Sequence, residues 1–178
     1  MKDLITLEEF RKYNNYYEED TDDMCTSFID AAEDMVVDYL GYDPNVNDYT
    51  ENDIAIGGAK LYTRVTPIQG FSYIASKEQD IDFSDIAYNS QYIYSRSNSD
   101  VFKEGRSYFI AYSAGYKKIP QVIKLAVLRI SSLMLAESNG NIGLSGKSNP
   151  DQSRTFISYA NYDKYLKPLA NLRAVRIY

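Results

Sequence analysis

The segment from residue 121 to residue 137 constrains the fold of this chain most, because the helix that it predicts is apolar on nearly every side. Its apolar residues include Val122, Ile123, Leu125, Ala126, Val127, Leu128, Ile130, Leu133, Met134 and Leu135. Such a helix must be buried over most of its surface. Lys124 and Arg129 lie within it and no apolar run approaches roughly 18 residues, so we do not expect it to cross a membrane. The rest of the chain must cover this helix, and a neighbouring subunit is a second source of cover.

Two more helices are predicted near the N-terminus. Thr6 and Glu9 have the spacing of a capping box, which predicts a helix over about residues 6–15. A second helix, over about residues 21–40, is predicted by apolar residues that recur every three or four positions: Cys25, Phe28, Ile29, Ala32, Val36, Tyr39 and Leu40. Gly41 is expected to end it. Because Cys25 lies on this apolar stripe, we interpret it as a small core residue and not as a reactive thiol.

The middle of the chain, from about residue 45 to residue 113, is typical of an antiparallel β-insertion. Tyr, Ile, Thr, Ser and Val are frequent there, and Gly, Pro and Asn recur as turn signals. Strands are predicted over residues 60–66, 71–75, 91–95 and 108–113. In the last of these strands, apolar or aromatic residues follow one another without a polar alternation, so both of its faces are expected to be at least partly covered.

The C-terminal part is predicted to be less regular. Pro120 is placed to open the apolar helix, over about residues 120–137. Residues 138–153 are rich in Gly, Ser and Asn, and we expect them to be mobile in the free chain. The predicted fold class is α+β: a small helical bundle with an inserted antiparallel β-sheet region and an extended C-terminal loop and tail. Residues 1–137 then form a single domain, and residues 138–178 form a flexible loop and a C-terminal arm.

Charge is distributed unevenly along the chain. The formal net charge is −6, but residues 1–59 contain 16 acidic and 3 basic residues whereas residues 60–178 contain 9 acidic and 16 basic residues. Two solvated ends of opposite sign would have this pattern. So would a chain that stacks an acidic face on the basic face of another copy.

Composition argues against most catalytic and cofactor-dependent functions. The chain has no His and a single Cys, which excludes Ser–His–Asp and Cys–His nucleophile systems, His-ligated zinc and an intrachain disulfide. Residues 140–148, GNIGLSGKS, resemble a phosphate-binding P-loop, but Asn141 stands where the motif needs its first glycine. The acidic clusters lack the spacing of an EF-hand. We therefore predict a protein that is not an enzyme, with no catalytic, cofactor-binding or metal-binding residues.

The order of these segments resembles a known family. The segment YSAGYKKIP leads into the apolar helix, and its most specific residues, with the first lysine of that helix, are Tyr112, Gly115, Tyr116, Pro120 and Lys124. A TLEEF helix and an acidic-start helix that ends in Tyr-Leu-Gly come before the β-insertion. A Gly/Ser loop and a basic tail follow the apolar helix. This order, over nearly the whole chain, resembles the head–tail connector (adaptor, or head-completion) proteins of tailed bacteriophages.

The resemblance implies a structural virion protein in the neck, at the portal vertex, that is assembled in the cytoplasm of the bacterial host. Such proteins form a ring between the capsid portal and the tail, extend the DNA channel and offer a docking surface to the tail or to a stopper protein. The implied partners are other copies of the chain in a dodecamer, the portal protein, a tail or stopper protein, and double-stranded DNA that passes without sequence specificity. No cofactor and no membrane are implied. Candidate contacts with the portal or a neighbouring subunit are Ile142, Leu144, Lys147, Arg154, Phe156, Lys167, Arg173, Arg176 and Tyr178.

Two alternatives stay open from the residues alone. Another neck or tail structural protein of a phage would have similar helices. The 18 tyrosines also suit a carbohydrate-binding module, because tyrosine side chains stack on sugars and are common at interfaces. That alternative does not account for the two strongly helical segments.

Overall fold

The computed structural model of the chain describes residues 2–17, 21–77, 79–97, 100–138, 144–147, 154–156 and 160–174. Two compact units divide the chain, one made of Met1–Gly41 and Ile119–Arg173 and the other of Tyr42–Lys118 and Ala174–Tyr178. We call the first the helical unit and the second the β unit. The predicted α+β fold class, with β-structure inserted between helices, is confirmed.

The elements follow the predicted order. The helices are α1 (Leu7–Asn14), α2 (Asp22–Leu40), α3 (Gln121–Ala136) and α4 (Ala160–Leu166), and a 3-10 helix, Lys167–Leu172, follows α4. The strands are β1 (Asn47–Ile54), β2 (Lys60–Tyr62), β3 (Ile68–Ala75), β4 (Ile86–Tyr88), β5 (Tyr92–Ser95), β6 (Ser107–Ala114), β7 (Leu144–Lys147) and β8 (Arg154–Phe156). The three predicted helices are confirmed to within one residue at each end.

The start of α1 and the end of α2 have the caps that the sequence predicts. The Glu9 N–H donates to Thr6 Oγ1 at 3.1 Å, and the Thr6 N–H donates to Glu9 Oε2 at 2.9 Å, so the capping box is complete. Gly41 ends α2 with φ at 79°, in the left-handed region that glycine adopts without strain. Local signals therefore set where α1 begins and where α2 ends.

The core of the helical unit lies among its four helices. Buried residues of α2 recur along one stripe, as predicted, and Cys25 is one of them. Buried residues of α3 and of the C-terminal helices complete this core: Ile123, Ala126, Val127, Ile130, Leu135, Leu166 and Leu169. The outward side of α3 is covered less fully, since Val122 is 38% exposed and Leu125 and Leu128 are only half-buried.

The β unit consists of two three-stranded antiparallel sheets. Their strand orders are β1-β6-β3 and β2-β5-β4. The side of β6 that bears Tyr108, Ile110 and Tyr112 is buried. The opposite side of β6 is partly covered, as the sequence predicts, because Phe109 is 40% exposed and Ala111 is half-buried.

The elements that were not predicted include β1, β4, α4 and β7, the last of which lies within the segment 138–153 that the sequence predicts to be mobile. Strand β1 is rich in Asn, Asp and Glu, which are uncommon in strands, and its pairing with β6 along its whole length fixes it as a strand. Strand β4 has only three residues. The tyrosines at 162 and 165 belong to α4, because with Leu166 and Leu169 they recur at helical spacing on the side that packs.

Candidate interaction surfaces

An acidic stripe runs along the outward side of α2. Asp23, Asp30, Asp34 and Asp38 follow one another at seven- and four-residue spacing, and they lie on the side opposite the buried stripe. Ser27 and Ala31 are exposed between them. We call these four aspartates the acidic face. The Lys2 ammonium lies 2.6 Å from Asp34 Oδ1, and this is the only ion pair described for the acidic face.

A basic and aromatic surface lies where α3 meets α4. The Arg129 guanidinium lies 5.7 Å and the Lys164 ammonium 4.8 Å from the centre of the Tyr165 ring, so both cations pack on one aromatic side chain. Lys167, in the next turn, is exposed. We call Arg129, Lys164 and Lys167 the basic face. No ion pair is described for any of the three in the part of the chain that the structure covers.

Lys124 has a different role from Arg129, the other cation of α3. Its Nζ donates to Glu9 Oε1 at 2.6 Å and joins α3 to the first turn of α1. This hydrogen bond holds the pKa of Glu9 below its usual range. Lys124 is therefore a structural residue of the helical unit, and its charge is largely neutralised within the chain.

Six of the nine predicted partner-binding residues lie within the described part of the chain, and they fall into three groups. Lys167 is exposed on the basic face. Arg173 is held by α2, because its Nε donates to the Tyr39 carbonyl at 3.0 Å and its guanidinium lies 5.0 Å from the centre of the Tyr39 ring. Four residues lie on the β7–β8 hairpin, where the register pairs Leu144 with Phe156 and Lys147 with Arg154. The sequence did not predict that these four would share one hairpin. Ile142, Arg176 and Tyr178 lie outside the described residues.

The residues of the family-like segment have structural roles. Gly115 has φ at 124°, and a Cβ there would overlap the carbonyl oxygen of Asn45. Tyr112 is buried and its hydroxyl oxygen accepts a hydrogen bond from the Val65 N–H at 3.2 Å. The Tyr116 N–H donates to the Pro44 carbonyl at 2.8 Å. Pro120 stands directly before α3, at its N-cap. The segment is specific because each position meets a local backbone requirement.

One aromatic surface of the β unit lies on the sheet β2-β5-β4. Tyr62, Tyr92 and Tyr94 lie on one side of it. The ring centres of Tyr62 and Tyr92 are 5.7 Å apart, and those of Tyr92 and Tyr94 are 6.1 Å apart. The Lys60 ammonium lies 4.6 Å from the centre of the Tyr92 ring. Hydrogen bonds from Asn89 and Lys60 lower the pKa of Tyr92. A groove of 280 Å³ lies beside these side chains.

A second exposed surface lies on the sheet β1-β6-β3, on the side away from its buried tyrosines. Phe109 and Tyr73 make an edge-to-face contact with ring centres 6.0 Å apart, and Ile54 is 59% exposed. A groove of 670 Å³ beside Phe109 has Asn52 and Lys77 among its lining residues. Both aromatic surfaces of the β unit therefore combine exposed rings with few charges.

Two buried carboxylates were missed by the sequence analysis. Glu33 is 1% exposed, and its Oε1 accepts hydrogen bonds from the Leu4 N–H at 2.7 Å and the Ile5 N–H at 3.2 Å. Burial raises its pKa. Its position in α2 lies at the border of the buried stripe, which is the signal that could have identified it.

Asp53 is the second buried carboxylate, 3% exposed on the buried side of β1. Burial and the neighbouring Glu51 carboxylate raise its pKa to about 7, and the Arg64 guanidinium opposes this shift. Among the described residues, no three His, Cys, Asp or Glu side chains lie close enough together to hold a metal ion. None of the described helices is long and apolar enough to cross a membrane.

Comparison with known proteins gives one family and a group of solved structures. The family model described as "Head completion protein" matches residues 3–134. No protein with curated annotation matches the chain.

The solved structures share the fold. A chain in the neck of an empty GTA particle, computed with C6 symmetry, is 12% identical with a TM-score of 0.55, over 99% of this chain and 93% of that one. A chain in the neck of the native GTA particle, computed with C12 symmetry, is 11% identical with a TM-score of 0.55, over 99% and 92%. A chain from the virion of the native gene transfer agent particle is 12% identical with a TM-score of 0.52, over 99% and 93%.

Proposed function

The chain belongs to the head completion protein family. It is a structural component of the head–tail connector in the neck of a phage-like virion, and we propose that it forms a ring between the capsid portal and the tail. In this role it extends the channel through which double-stranded DNA passes, and it presents a docking surface to a tail or stopper protein. It is assembled in the cytoplasm of the bacterial host and needs no cofactor.

The observation that carries this proposal is the extent of the family match. Residues 3–134 include α1, α2, the whole β1–β6 segment and most of α3. A fold shared over 99% of the chain with proteins from the necks of GTA particles supports the same position. One of those necks was computed with C12 symmetry, which supports a ring of twelve copies for this chain.

The surfaces of the two units suit the partners that the proposal requires. A ring with rotational symmetry needs two different faces on each subunit, because each copy contacts the next one head to tail. The acidic face and the basic face of the helical unit are two such surfaces. We assign the portal contact to the β7–β8 hairpin, which bears Leu144, Lys147, Arg154 and Phe156, and to the basic C-terminal residues.

Native mass spectrometry tests the proposal directly. The protein is measured alone and after mixing with the portal protein of the same phage. A complex that contains the portal and about twelve copies of this chain is the expected result. A chain that stays monomeric and does not bind the portal would contradict the ring. The monomer alone is compatible with the proposal, because the portal can act as the template for assembly.

The tyrosine surface of β2 and β5 favours a second candidate function, binding of carbohydrate. Tyr92 and Tyr94 are half-buried and line the groove of 280 Å³, Tyr62 is 43% exposed next to Tyr92, and sugars stack on such rings. A glycan array separates the two functions. Specific binding that is lost in Tyr92→Ala would support the second one, and an array without signal leaves the connector role as the function of the chain.

A further inference from the structure

The helical unit has its opposite charges on different helices, and this separation identifies the contact between subunits. Given the proposed ring, on which this inference rests, we propose that the acidic face of α2 in one copy packs against the basic face of α3 and α4 in the next copy. The occupant of each face is thus a second copy of this chain. The contact repeats around the ring in one direction.

The acidic face is unfavourable for an isolated chain. Asp30, Asp34 and Asp38 are spaced four residues apart, and like charges at this spacing each cost about 0.2–0.5 kcal/mol. Asp38 also lies in the last turn of α2, where the helix dipole disfavours a negative charge, and that turn contains no basic residue of its own. Arg173 contacts the last turn through the Tyr39 carbonyl and ring, and Lys2 pairs with Asp34. No ion pair is described for Asp30 or Asp38 among the residues that the structure covers, so a cation of a neighbouring copy can pair with each of them.

The basic face is arranged to present charge outward. Arg129 and Lys164 pack on Tyr165, which fixes the two cations without neutralising them. Packing on an aromatic side chain reduces the conformational freedom of the two cations, which a salt bridge would otherwise have to remove. Asp163 is the one exposed acid among the described residues of α4, and Glu137, at the C-cap of α3, accepts a hydrogen bond from the Tyr162 hydroxyl at 3.2 Å. The surface is therefore positive overall, and Lys167 adds to it.

Apolar and small residues beside the charges allow the two faces to approach closely. Val122 and Leu125 lie on the outward side of α3, the first exposed and the second half-buried, and Val122 is two helical turns before Arg129. On the acidic face, Ser27 and Ala31 lie between the aspartates and add little bulk. A neighbour's α2 would cover the incompletely buried side of α3, while aspartates and cations meet at its edge.

Opposite charge on the two faces makes the contact directional. An acidic face repels another acidic face, and a basic face repels another basic face, so a symmetric back-to-back dimer is disfavoured. A head-to-tail arrangement pairs unlike faces at every contact, and repetition of a head-to-tail contact closes into a ring when its rotation permits. The charge pattern is thus compatible with a ring in which every contact is the same.

Two charge-reversed variants test the inference. The first is Asp30→Lys with Asp38→Lys, which places two cations on the acidic face, where they would meet the cations of the neighbour's basic face, and leaves the Lys2–Asp34 pair intact. The second is Arg129→Glu with Lys164→Glu, which makes both faces acidic. The control is Lys103→Glu with Lys117→Glu, which makes the same change in net charge as the second variant at exposed positions of the β unit. Circular dichroism and a thermal melt establish that each variant is folded before assembly on the portal is measured.

The inference predicts a specific pattern of assembly. Each face variant alone needs about a tenfold higher concentration than the wild type to form the ring on the portal, since a loss of about 1.4 kcal/mol at each contact weakens that contact tenfold. A 1:1 mixture of the two face variants restores the ring with equal numbers of each, because every contact is then again between unlike charges. The control assembles like the wild type.

The outcomes separate this inference from the proposed function. If the wild type assembles but a folded face variant alone does so equally well, the assignment of the faces is overturned and the ring stands. If the wild type assembles and the mixture of folded variants does not, the pairing of these two faces is overturned. If the wild type itself forms no ring on the portal, the proposed function is contradicted and the inference fails with it.

Discussion

The helical unit and the β unit use charged residues in different ways. Residues 1–41 contain 12 acids and 3 bases, and residues 119–173 contain 3 acids and 7 bases, so the two halves of the helical unit are opposite in sign. Residues 42–118 contain 10 acids and 8 bases, which are mixed along the strands, together with 10 of the 18 tyrosines. The helical unit therefore has separated charges, and the β unit has exposed rings on nearly neutral surfaces.

This difference indicates two kinds of contact. Separated charge suits a contact that every copy repeats in the same direction, because orientation matters and the partner is known in advance. Exposed tyrosine and phenylalanine suit a contact with a different protein, where large rigid side chains give area with little loss of side-chain freedom. We therefore expect substitutions in the helical unit to affect ring formation, and substitutions on the aromatic surfaces of the β unit to affect later steps of assembly.

The largest effect is expected at Gly115 of the β unit. Gly115→Val forces a β-branched residue into φ of 124° and pushes its Cβ onto the Asn45 carbonyl, so we expect a loss of more than about 4 kcal/mol and an unfolded or molten β unit. Gly58→Ala is the matched control: Gly58 also has positive φ, at 102°, but a Cβ there meets no atom within 4 Å. Its cost should be about 1 kcal/mol. Thermal melts of both variants measure the difference, and equal melting temperatures would contradict the assigned turn.

The next largest effect is expected at Glu33 of the helical unit. Glu33→Ala leaves the buried N–H groups of Leu4 and Ile5 without an acceptor, and we expect it to lower the free energy of unfolding by about 3 kcal/mol. Glu33→Gln keeps an acceptor oxygen and should recover most of this loss. Urea unfolding measures both, and a Gln variant as unstable as the Ala variant would show that the charge of the carboxylate, and not the acceptor, matters.

The third prediction concerns Asp53 of the β unit and the dependence of the free energy of unfolding on pH. The pKa of Asp53 is about 7 in the folded chain, against an ordinary value of 3.8. Between these values the folded state holds a proton that the unfolded state has released, so stability falls as pH rises, by up to about 1.4 kcal/mol per pH unit from this group. Asp53→Asn should remove that part of the fall between pH 4.5 and pH 8 in thermal melts. Asp48→Asn, an exposed change on the same strand, should leave the profile unchanged, and a profile unaffected by Asp53→Asn would contradict the shift.

The smallest effect is expected for Lys124 of the helical unit. Lys124→Met removes its pair with Glu9 but keeps the aliphatic chain, and a partly exposed pair of this kind contributes about 1 kcal/mol or less. The loss should shrink further in 1 M salt, where charges are screened over about 3 Å. Urea unfolding at low and high salt measures it. A loss above about 2 kcal/mol would show that Lys124 supports the helical unit by more than its charge.

The sequence predicts the helical unit better than the β unit for a physical reason. Helix signals are local: the Thr6–Glu9 box, Gly41 and the apolar stripe of α2 act within a few residues of each other. Strand β1 depends on pairing with β6, about sixty residues away, and its own Asn and Asp residues do not favour a strand. The same limit applies to surfaces. The residues of the acidic face follow from the period of α2, but the basic face needs Arg129 and Lys164 on one Tyr165 ring, which only the packing of α3 on α4 shows.

A cryo-electron microscopy reconstruction of this chain assembled on its portal tests the account most directly. The account predicts a ring in which Asp30 and Asp38 of one copy lie within about 4 Å of the cations Arg129, Lys164 or Lys167 of the next, a distance at which opposite charges pair. A ring in which the acidic face of α2 lines the DNA channel, or is exposed to solvent away from any neighbouring copy, would contradict it.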